Sequence, residues 1–186
     1  MDNASPTTVR REIAFQTPWW IVRNDVVRSE AGEGTYTVLE PASGKAGAAM
    51  LVVRKIDESY EVLLVRQWRY PLGRFVWELP RGFALAIDHD VIATAVRELL
   101  EETNVAPTRI VPLGEVSPDS GLMALSCPLF GIEVADGSEA APGHEIEDVA
   151  WISLDRLTAS IRSGEIVDGF TLAALLQAHL RGFLLL

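Results

Sequence analysis

The spacing of hydrophobic and polar residues along the chain predicts strands that alternate with helices. Residues 47–56 and 61–68 contain continuous apolar runs, as strands buried on both faces of a sheet do. Shorter apolar runs bounded by turn residues predict four more strands, at 75–79, 109–116, 127–134 and 149–152. Segments with helical spacing lie between and after them, which is typical of an α/β protein.

Three segments show the spacing of amphipathic helices. The first begins near residue 91, and its apolar residues recur at i, i+1, i+4, i+5, i+8 and i+9, which predicts a single buried stripe. This stripe consists of Val91, Ile92, Ala95, Val96, Leu99 and Leu100. The other two helices are expected over 154–163 and 168–180, with Ser153 and Asp168 as N-caps.

The N-terminal quarter of the chain has the pattern of a β-hairpin. Strand-like runs at 19–27 and 35–39 flank a glycine-containing loop. Residues 1–8 are polar and are expected to be disordered. The adjacent side chains of Trp19 and Trp20 need a cover, which is either their own domain or a second subunit, since aromatic anchors are enriched at interfaces.

A short linker at residues 41–45 predicts the division of the chain into two parts. Residues 1–45 would form the tail and the hairpin segment, and residues 46–186 would form one larger domain. A length of 186 residues is sufficient for one domain with a sizeable core.

Composition and charge narrow the range of functions. Of the 186 residues, 48% are hydrophobic, too many for a disordered chain, and no apolar run approaches the roughly 18–20 residues of a membrane span. A net charge of −10 argues against nucleic acid as the main partner. Cys127 is the one cysteine, which excludes an internal disulfide and a cysteine zinc site. The polar N-terminus lacks the apolar core of a signal peptide, so we expect a cytoplasmic location.

The polar face of the first helix carries three carboxylates, Glu98, Glu101 and Glu102. Like-charge pairs at i, i+3 and i, i+4 cost roughly 0.2–0.5 kcal/mol each. The last turns of a helix also disfavour negative charge because of the helix dipole. A bound cation would explain this placement, and oxygen ligands suit Mg²⁺ or Mn²⁺. The alternative is a solvated acidic face on which Arg97 pairs with Glu101.

The strand, the glycine-containing loop and the helix that span residues 75–105 resemble the signature of the Nudix hydrolases. That signature is G-x5-E-x7-R-E-U-x-E-E-x-G-U, where U is a bulky aliphatic residue. The matching residues are Gly82, Arg97, Glu98, Leu99, Glu101, Glu102 and Val105.

The stretch departs from the signature at two places. Fourteen residues separate Gly82 from Arg97 instead of thirteen, and the first glutamate is missing. Asp88 stands in its place when counted from Gly82, and His89 when counted back from Arg97, so we expect a weakened metal site. Asn104 replaces the glycine after the helix, where asparagine is the next best residue for a positive φ.

The resemblance implies a Nudix α/β/α sandwich with a mixed central sheet, to which the N-terminal hairpin segment is added. It also implies Mg²⁺ or Mn²⁺ held mainly by Glu98 and Glu102, with Glu101 assisting in binding and catalysis. In this family the backbone carbonyl at the position of Arg81 can join the metal ligands. The ADP-ribose pyrophosphatase branch has a comparable N-terminal β segment that builds its dimer, so we expect a homodimer.

Residues outside the signature also resemble the ADP-ribose pyrophosphatase branch. The sequence RQWRYP, which begins at Arg66, is similar to the Q-[YW]-R-[YH]-P segment of that branch. Arg66 and Arg69 would grip a pyrophosphate with their fork of donors, and Trp68 or Tyr70 would stack on a base. Ordinary surface arginines are the alternative. Glu78 lies within a strand and is expected to point into the cleft as a substrate or metal group.

Two glutamates precede the strand at 149–152, where this branch keeps its catalytic base. Glu145 and Glu147 alternate, so they would face the same side if the strand begins early. We favour Glu145 slightly as the base. A solvated acidic loop is the alternative.

The activity implied by the resemblance is hydrolysis of the pyrophosphate bond in a nucleoside diphosphate linked to another moiety. ADP-ribose is the leading candidate, with AMP and ribose 5-phosphate as products. GDP-mannose, other sugar nucleotides and dinucleotides are alternatives within this class. A Nudix domain that binds a nucleotide without hydrolysing it is the alternative from a different class.

Overall fold

A computed structural model of the protein describes residues 5–185. The chain divides into two compact units. The first contains the residues up to Ala46 together with Ser117–Ser126, and the second contains Gly47–Val116 and the residues from Cys127 onward.

The first unit is an antiparallel sheet of four strands, β1 (Thr7–Arg10), β2 (Ile13–Gln16), β3 (Trp20–Ser29) and β4 (Gly32–Pro41). Strand β3 pairs with β4 along its whole length, and its other edge pairs with β2 and then with β1. The expected hairpin is therefore present as β3 and β4, but each strand is longer than the sequence pattern indicated.

The expectation of disorder over residues 1–8 is wrong for Thr7 and Thr8, which belong to β1. Residues 1–4 lie outside the described part of the chain. The segment has two β-branched threonines and pairs with the open edge of β3, from Thr7 opposite Arg28 to Arg10 opposite Val26. The local sequence does not reveal this pairing, because the partner strand β3 is distant in the chain.

The second unit is built on a mixed sheet with the strand order β11-β6-β5-β10-β9. Strand β7 pairs with β6 and β8 pairs with β5, while β10 runs parallel to β5 and the other pairs are antiparallel. The strands are β5 (Ala48–Ile56), β6 (Ser59–Arg69), β7 (Arg74–Glu78), β8 (Arg81–Gly82), β9 (Arg109–Val116), β10 (Cys127–Glu133) and β11 (Asp148–Ser153). A short 3-10 helix, Tyr70–Leu72, connects β6 to β7.

Three helices cover the two faces of this sheet, α1 (Val91–Thr103), α2 (Leu154–Arg162) and α3 (Gly169–Leu180). Consecutive residues of β5 are buried in turn against α1 and against the α2–α3 layer, as Met50 and Leu51 show. This double burial explains the continuous apolar runs, and the predicted α/β/α sandwich with a mixed sheet is confirmed. Within residues 5–185 no helix has both the length and the apolar character needed to cross a membrane.

The helix ends follow the predicted capping chemistry. The Ser153 hydroxyl accepts a hydrogen bond from Arg156 N at 3.3 Å, and the Asp168 carboxylate accepts one from Thr171 N at 2.8 Å. Asp90 caps α1 in the same way and accepts from Ala93 N at 2.7 Å. Asn104 ends α1 with a φ of 58°, the conformation that a signature glycine would adopt there.

The buried face of α1 differs from the predicted stripe. Ile92 and Leu100 are 47% and 41% exposed, whereas Thr94 and Thr103 are fully buried beside the leucine and alanine of the stripe. The two threonine hydroxyls can be buried because they donate to Asp88 and to the Leu99 carbonyl, respectively. A prediction from the apolar residues alone therefore places the centre of the buried face about one residue position from where it lies.

Candidate functional site

The loop–helix signature is held together by close packing at Gly82, the last residue of β8. A Cβ atom built at this position would lie 2.1 Å from the Glu98 carboxyl carbon and 2.2 Å from its Oε1. Only a residue without a side chain leaves room for that carboxylate. The first and second halves of the signature are thus in direct contact.

Glu98 and Glu102 are one helical turn apart on the same side of α1, and both are substantially buried. The carboxylate of Glu102 accepts a hydrogen bond from Arg81 N at 3.0 Å. Burial raises the pKa of Glu102 to about 8 despite that hydrogen bond, which lowers it, and the nearby charges of Glu98 and Glu78 contribute to the rise. The pKa of Glu98 is raised as well, mainly by burial.

Arg97 organises the side chains around these two glutamates. Its Nη1 donates to Glu98 Oε1 at 2.9 Å and to Glu101 Oε2 at 2.8 Å. Its Nη2 donates to the Phe83 carbonyl at 2.8 Å, which fastens the loop before the helix. The pairing of Arg97 with Glu101 considered above is therefore present, but it does not account for the burial of Glu98 and Glu102.

Asp88 occupies the place of the missing signature glutamate. Its two carboxylate oxygens accept from Arg97 Nε at 3.1 Å and from Arg97 Nη2 at 2.9 Å. Further hydrogen bonds come from Leu85 N at 2.8 Å and from the Thr94 hydroxyl at 3.1 Å. The Arg97 guanidinium holds the pKa of Asp88 well below its ordinary value. Of the two residues that could stand for the signature glutamate, Asp88 binds Arg97, whereas the His89 side chain is 82% exposed.

The carboxylates of α1 supply a donor set that suits a hard divalent cation. Glu98 and Glu102 are buried with like charge nearby, an arrangement that oxygen-bound Mg²⁺ or Mn²⁺ would relieve. Glu101 is mostly exposed and bonded to Arg97. As they stand, no three His, Cys, Asp or Glu side chains of the described residues form a metal-binding group. The glutamates, with the backbone of Arg81 beside them, could hold a cation after a change in side-chain rotamers.

Glu78 is 1% exposed and does not face an open cleft, in contrast to the expectation. Arg69 binds both of its oxygens, one of them from Nε at 3.1 Å, and Arg81 Nη2 lies 3.5 Å from Oε2. Arg81 also lies 4.6 Å above the ring of Phe170 at the start of α3. The burial of Glu78 follows from these two cationic partners, which it holds beside Glu102.

The two arginines of the RQWRYP segment point to opposite faces of the sheet. In β6, Leu63 is buried on the α1 side and Leu64 on the α2–α3 side. The pairing of β6 with β7 and β11 shows no register shift, so the alternation continues along the strand. Arg69 therefore shares the side of the helix carboxylates, and Arg66 and Trp68 lie on the other side.

Phe75 of β7 is an additional residue of this region that the sequence reasoning missed. The Arg66 guanidinium lies 4.5 Å above its ring, and the ring of Trp68 meets it edge to face at 5.1 Å. Trp68 remains half exposed, so part of its indole is accessible to a ligand. The signal for Phe75 was its position opposite Trp68 across β6 and β7, which only the strand register reveals.

Glu145 and Glu147 are both exposed, and the buried Ile146 lies between them. Strand β11 begins only at Asp148, so the early strand that would have aligned them is absent. The loop is nevertheless fastened at both ends, because Gly143 N donates to the Glu102 carbonyl and Glu147 N to the Arg66 carbonyl, each at 2.9 Å. The backbone of the loop that carries both glutamates is thus held to the last turn of α1 at Gly143 and to β6 at Glu147.

Cys127 is buried, as expected for a packing residue. Burial raises the pKa of its thiol to about 11, so the thiol is not activated as a nucleophile.

Comparison with known proteins identifies the family of this chain. Residues 45–170 match the NUDIX domain. The chain is 32% identical over 135 residues to the CMP-5'-(N-acetyl-N-hydroxy-3-aminopropyl)phosphonate hydrolase of Streptomyces rubellomurinus, a match that covers 70% of this chain and 62% of that protein. It is 27% identical over 178 residues to the ADP-ribose pyrophosphatase of Mycobacterium tuberculosis, covering 92% and 82% of the two chains.

Solved structures show the same fold. A crystal structure of an ADP compounds hydrolase matches with a TM-score of 0.74 and 17% identity, covering 98% of each chain. The NUDIX domain of Shewanella oneidensis NrtR, complexed with ADP ribose, matches with a TM-score of 0.61 and 24% identity, covering 74% of this chain and 87% of that one. The expected resemblance to ADP-ribose pyrophosphatases is confirmed. Because the domain match extends over more than half of the chain and includes the whole signature, this protein belongs to the Nudix family.

Proposed function

We propose that the protein hydrolyses the pyrophosphate bond of a nucleoside diphosphate linked to a second moiety, with ADP-ribose as the leading substrate. The observation that carries the proposal is the buried pair Glu98 and Glu102 with the cationic Arg69 beside it. A diphosphate needs carboxylates that bind a cation and a guanidinium that binds phosphate oxygens. Both kinds of group lie on the same side of the sheet.

The side chains of the α1 face have distinct roles in this proposal. Glu98 and Glu102 would hold Mg²⁺ or Mn²⁺, with Glu101 assisting and the Arg81 carbonyl as a further oxygen ligand. When bound, the cation would neutralise the negative charge that develops on the two phosphates. Arg69, oriented by its ion pair with Glu78, binds phosphate oxygens.

The loop before β11 would supply the general base. Glu145, or Glu147 as the second candidate, takes a proton from the attacking water. Both side chains are exposed and therefore accessible to that water. Cleavage of ADP-ribose between its phosphates yields AMP and ribose 5-phosphate.

Arg66 and Trp68 lie on the other face of β6 from Glu98 and Glu102, so they would meet only the base or second moiety of a substrate that extends past the end of the strand. Trp68 is half exposed, and Arg66 is held beside it on Phe75. The named activities of two relatives support a nucleotide substrate, since one acts on ADP-ribose and the other on a CMP conjugate. The ion pair between Asp88 and Arg97 supports an intact site, which favours hydrolysis over binding alone.

A substrate panel tests the proposal. ADP-ribose, GDP-mannose, NADH, diadenosine polyphosphates and a CMP-linked phosphonate are incubated with the protein and Mg²⁺ or Mn²⁺, and the products are separated by chromatography. We expect AMP and ribose 5-phosphate from ADP-ribose, and no products with Glu102→Gln. Tight nucleotide binding without hydrolysis of any compound would contradict the proposal and support a binding domain.

We also propose that the protein is a homodimer that associates through its first unit. Several large apolar side chains of this unit are exposed, namely Ile13, Phe15, Trp19 and Tyr36. A two-fold interface needs one self-complementary apolar patch, and these strands carry such side chains without burying them.

A further inference from the structure

The residue that replaces the last signature glycine makes a contact that glycine cannot make. The side-chain amide of Asn104 donates a hydrogen bond from Nδ2 to the Ala141 carbonyl at 3.0 Å. Its backbone N–H meanwhile donates to the Leu100 carbonyl at 3.0 Å and closes the helix. Closing the helix needs only a backbone with positive φ, so the side chain is free for the second contact.

Ala141 lies in the loop that leads to the candidate base. Its N–H donates to the Thr103 carbonyl at 3.0 Å, and two residues later Gly143 N donates to the Glu102 carbonyl at 2.9 Å. These carbonyls belong to the last turn of α1, where helix carbonyls lack partners within the helix. The loop therefore runs along the end of the helix that carries the candidate metal ligands.

The loop backbone packs closely against the helix. A Cβ atom at Gly143 would lie 1.7 Å from the Glu101 carbonyl oxygen, so the loop backbone is in direct contact with α1. The Asn104 amide adds a side-chain hydrogen bond between this segment and the helix end to the backbone hydrogen bonds. After Gly143 the chain reaches Glu145 within two residues.

We propose that Asn104 is a positioning residue, which fastens the loop 141–147 to the end of α1 and thereby places Glu145 and Glu147 relative to Glu98 and Glu102. This inference rests on the proposed function in so far as it assigns the base to that loop. A role in closing the helix alone predicts that glycine would serve as well or better at this position, because glycine adopts a positive φ without strain.

The variants Asn104→Gly and Asn104→Asp separate the two roles. Glycine keeps the backbone cap and removes the amide, and aspartate tolerates the same φ but has no N–H to donate. Asp57→Gly is the matched control, because Asp57 is the other non-glycine residue with positive φ among residues 5–185 and lies in the turn between β5 and β6.

Hydrogen exchange measured by mass spectrometry and steady-state kinetics with ADP-ribose are the two readouts, both on the full chain. We expect both Asn104 variants to exchange the amides of 141–147 about tenfold faster, with Asp57→Gly unchanged. Loss of one neutral hydrogen bond corresponds to a decrease of roughly threefold to tenfold, which we expect in kcat, with KM within about twofold of the parent value.

Unchanged exchange in the loop of both Asn104 variants would overturn the inference, and so would faster exchange with an unchanged kcat. If the parent hydrolyses none of the compounds in the panel, the proposed function is wrong. The exchange rates then decide by themselves whether Asn104 fastens the loop.

Discussion

At the scale of single residues, the site depends on charges that are buried in pairs. Arg97 joins Asp88, Glu98 and Glu101, and Glu78 joins Arg69 and Arg81. The Glu101 side chain is 57% exposed, but the other members are largely shielded from solvent, so removal of one partner leaves a buried charge uncompensated. In Glu98 and Glu102 burial outweighs the partners that the protein provides, and the pKa of each carboxyl is raised, although Glu98 also pairs with Arg97.

The first prediction concerns these two glutamates. Glu98→Gln and Glu102→Gln keep the shape of the side chain and remove the charge, so we expect at least a roughly hundredfold decrease in kcat for each variant. The melting temperature of Glu102→Gln without divalent cation should be unchanged or higher, because a buried carboxyl near Glu98 and Glu78 is replaced by a neutral amide, whereas Glu98→Gln also loses its ion pair with Arg97. Glu101→Gln is the control and should lose less activity, since Glu101 is 57% exposed and bound to Arg97. Near-normal kcat in both buried variants would refute the metal assignment.

The second prediction concerns the ion pair of Asp88 with Arg97. A carboxylate whose pKa is lower in the folded protein stabilises the fold fully above its unfolded pKa of about 3.9, and this contribution decreases as the pH falls toward the folded value. Asp88→Asn removes the contribution. We therefore expect the variant to melt below the parent at pH 7, with a difference that shrinks below about pH 4.

Thermal melts from pH 2 to pH 7 measure this difference. Asp90→Asn is the matched control, because asparagine also caps helices and the exposed Asp90 carboxylate contacts the Ala93 N–H and His89 and not an arginine of the described residues. A difference between the Asp88 variant and the parent that is constant over the whole range would show that the charge of Asp88 does not stabilise the fold.

At the scale of elements, the signature works by bringing the end of strand β8 against helix α1. Gly82 allows the approach, Arg97 binds the intervening loop at Phe83, and Asp90 begins the helix at the correct residue. The loop between Gly82 and Arg97 is longer than in the signature by one residue and includes the exposed His89. Asp88 of this loop still binds Arg97 of the helix.

The third prediction tests the approach of β8 to α1. In Gly82→Ala the new methyl group would overlap the Glu98 carboxylate, so Glu98 must move. We expect at least a tenfold rise in the Mg²⁺ concentration that gives half-maximal activity. Gly169→Ala is the control within the same unit, because a Cβ atom at Gly169 meets no atom within 4 Å. Equal metal requirements of the two variants, measured by titration, would contradict this account of Gly82.

At the scale of the whole molecule, the second unit carries all the candidate site residues, and the first unit exposes large apolar side chains. The four-stranded sheet of the first unit is small, and sheets of this size need cover for their apolar side chains. A second copy of the chain is the cover that we propose.

The fourth prediction is a homodimer at micromolar concentration, measured by light scattering. Phe15→Ser and Trp19→Ser remove exposed apolar area from the first unit, and each should shift the mass toward that of a monomer. Ile87→Ser removes an exposed apolar side chain from the second unit and should leave the mass unchanged. A monomeric parent protein would refute the proposed interface.

Much of the fold and part of the site could be predicted from the sequence. Six of the seven strands of the second unit, the caps Ser153 and Asp168, and the positive φ of Asn104 all follow from local spacing and turn chemistry. The grouping of Glu98 and Glu102 on one side of α1 follows from helical geometry alone. These features depend on residues close together in the chain, which interact in the same way in almost any fold.

Only the tertiary structure showed that Asp88 and not His89 contacts Arg97. It also showed that Glu78 is buried and that Arg66 and Arg69 lie on opposite faces of the sheet. Each outcome depends on a partner distant in sequence or on which strand face meets which helix layer, and a pattern of neighbours contains neither. A carboxylate can be buried when a guanidinium contacts it, as Arg69 contacts Glu78. Without such a partner it stays in water, because the free energy of desolvation exceeds the free energy gained from packing.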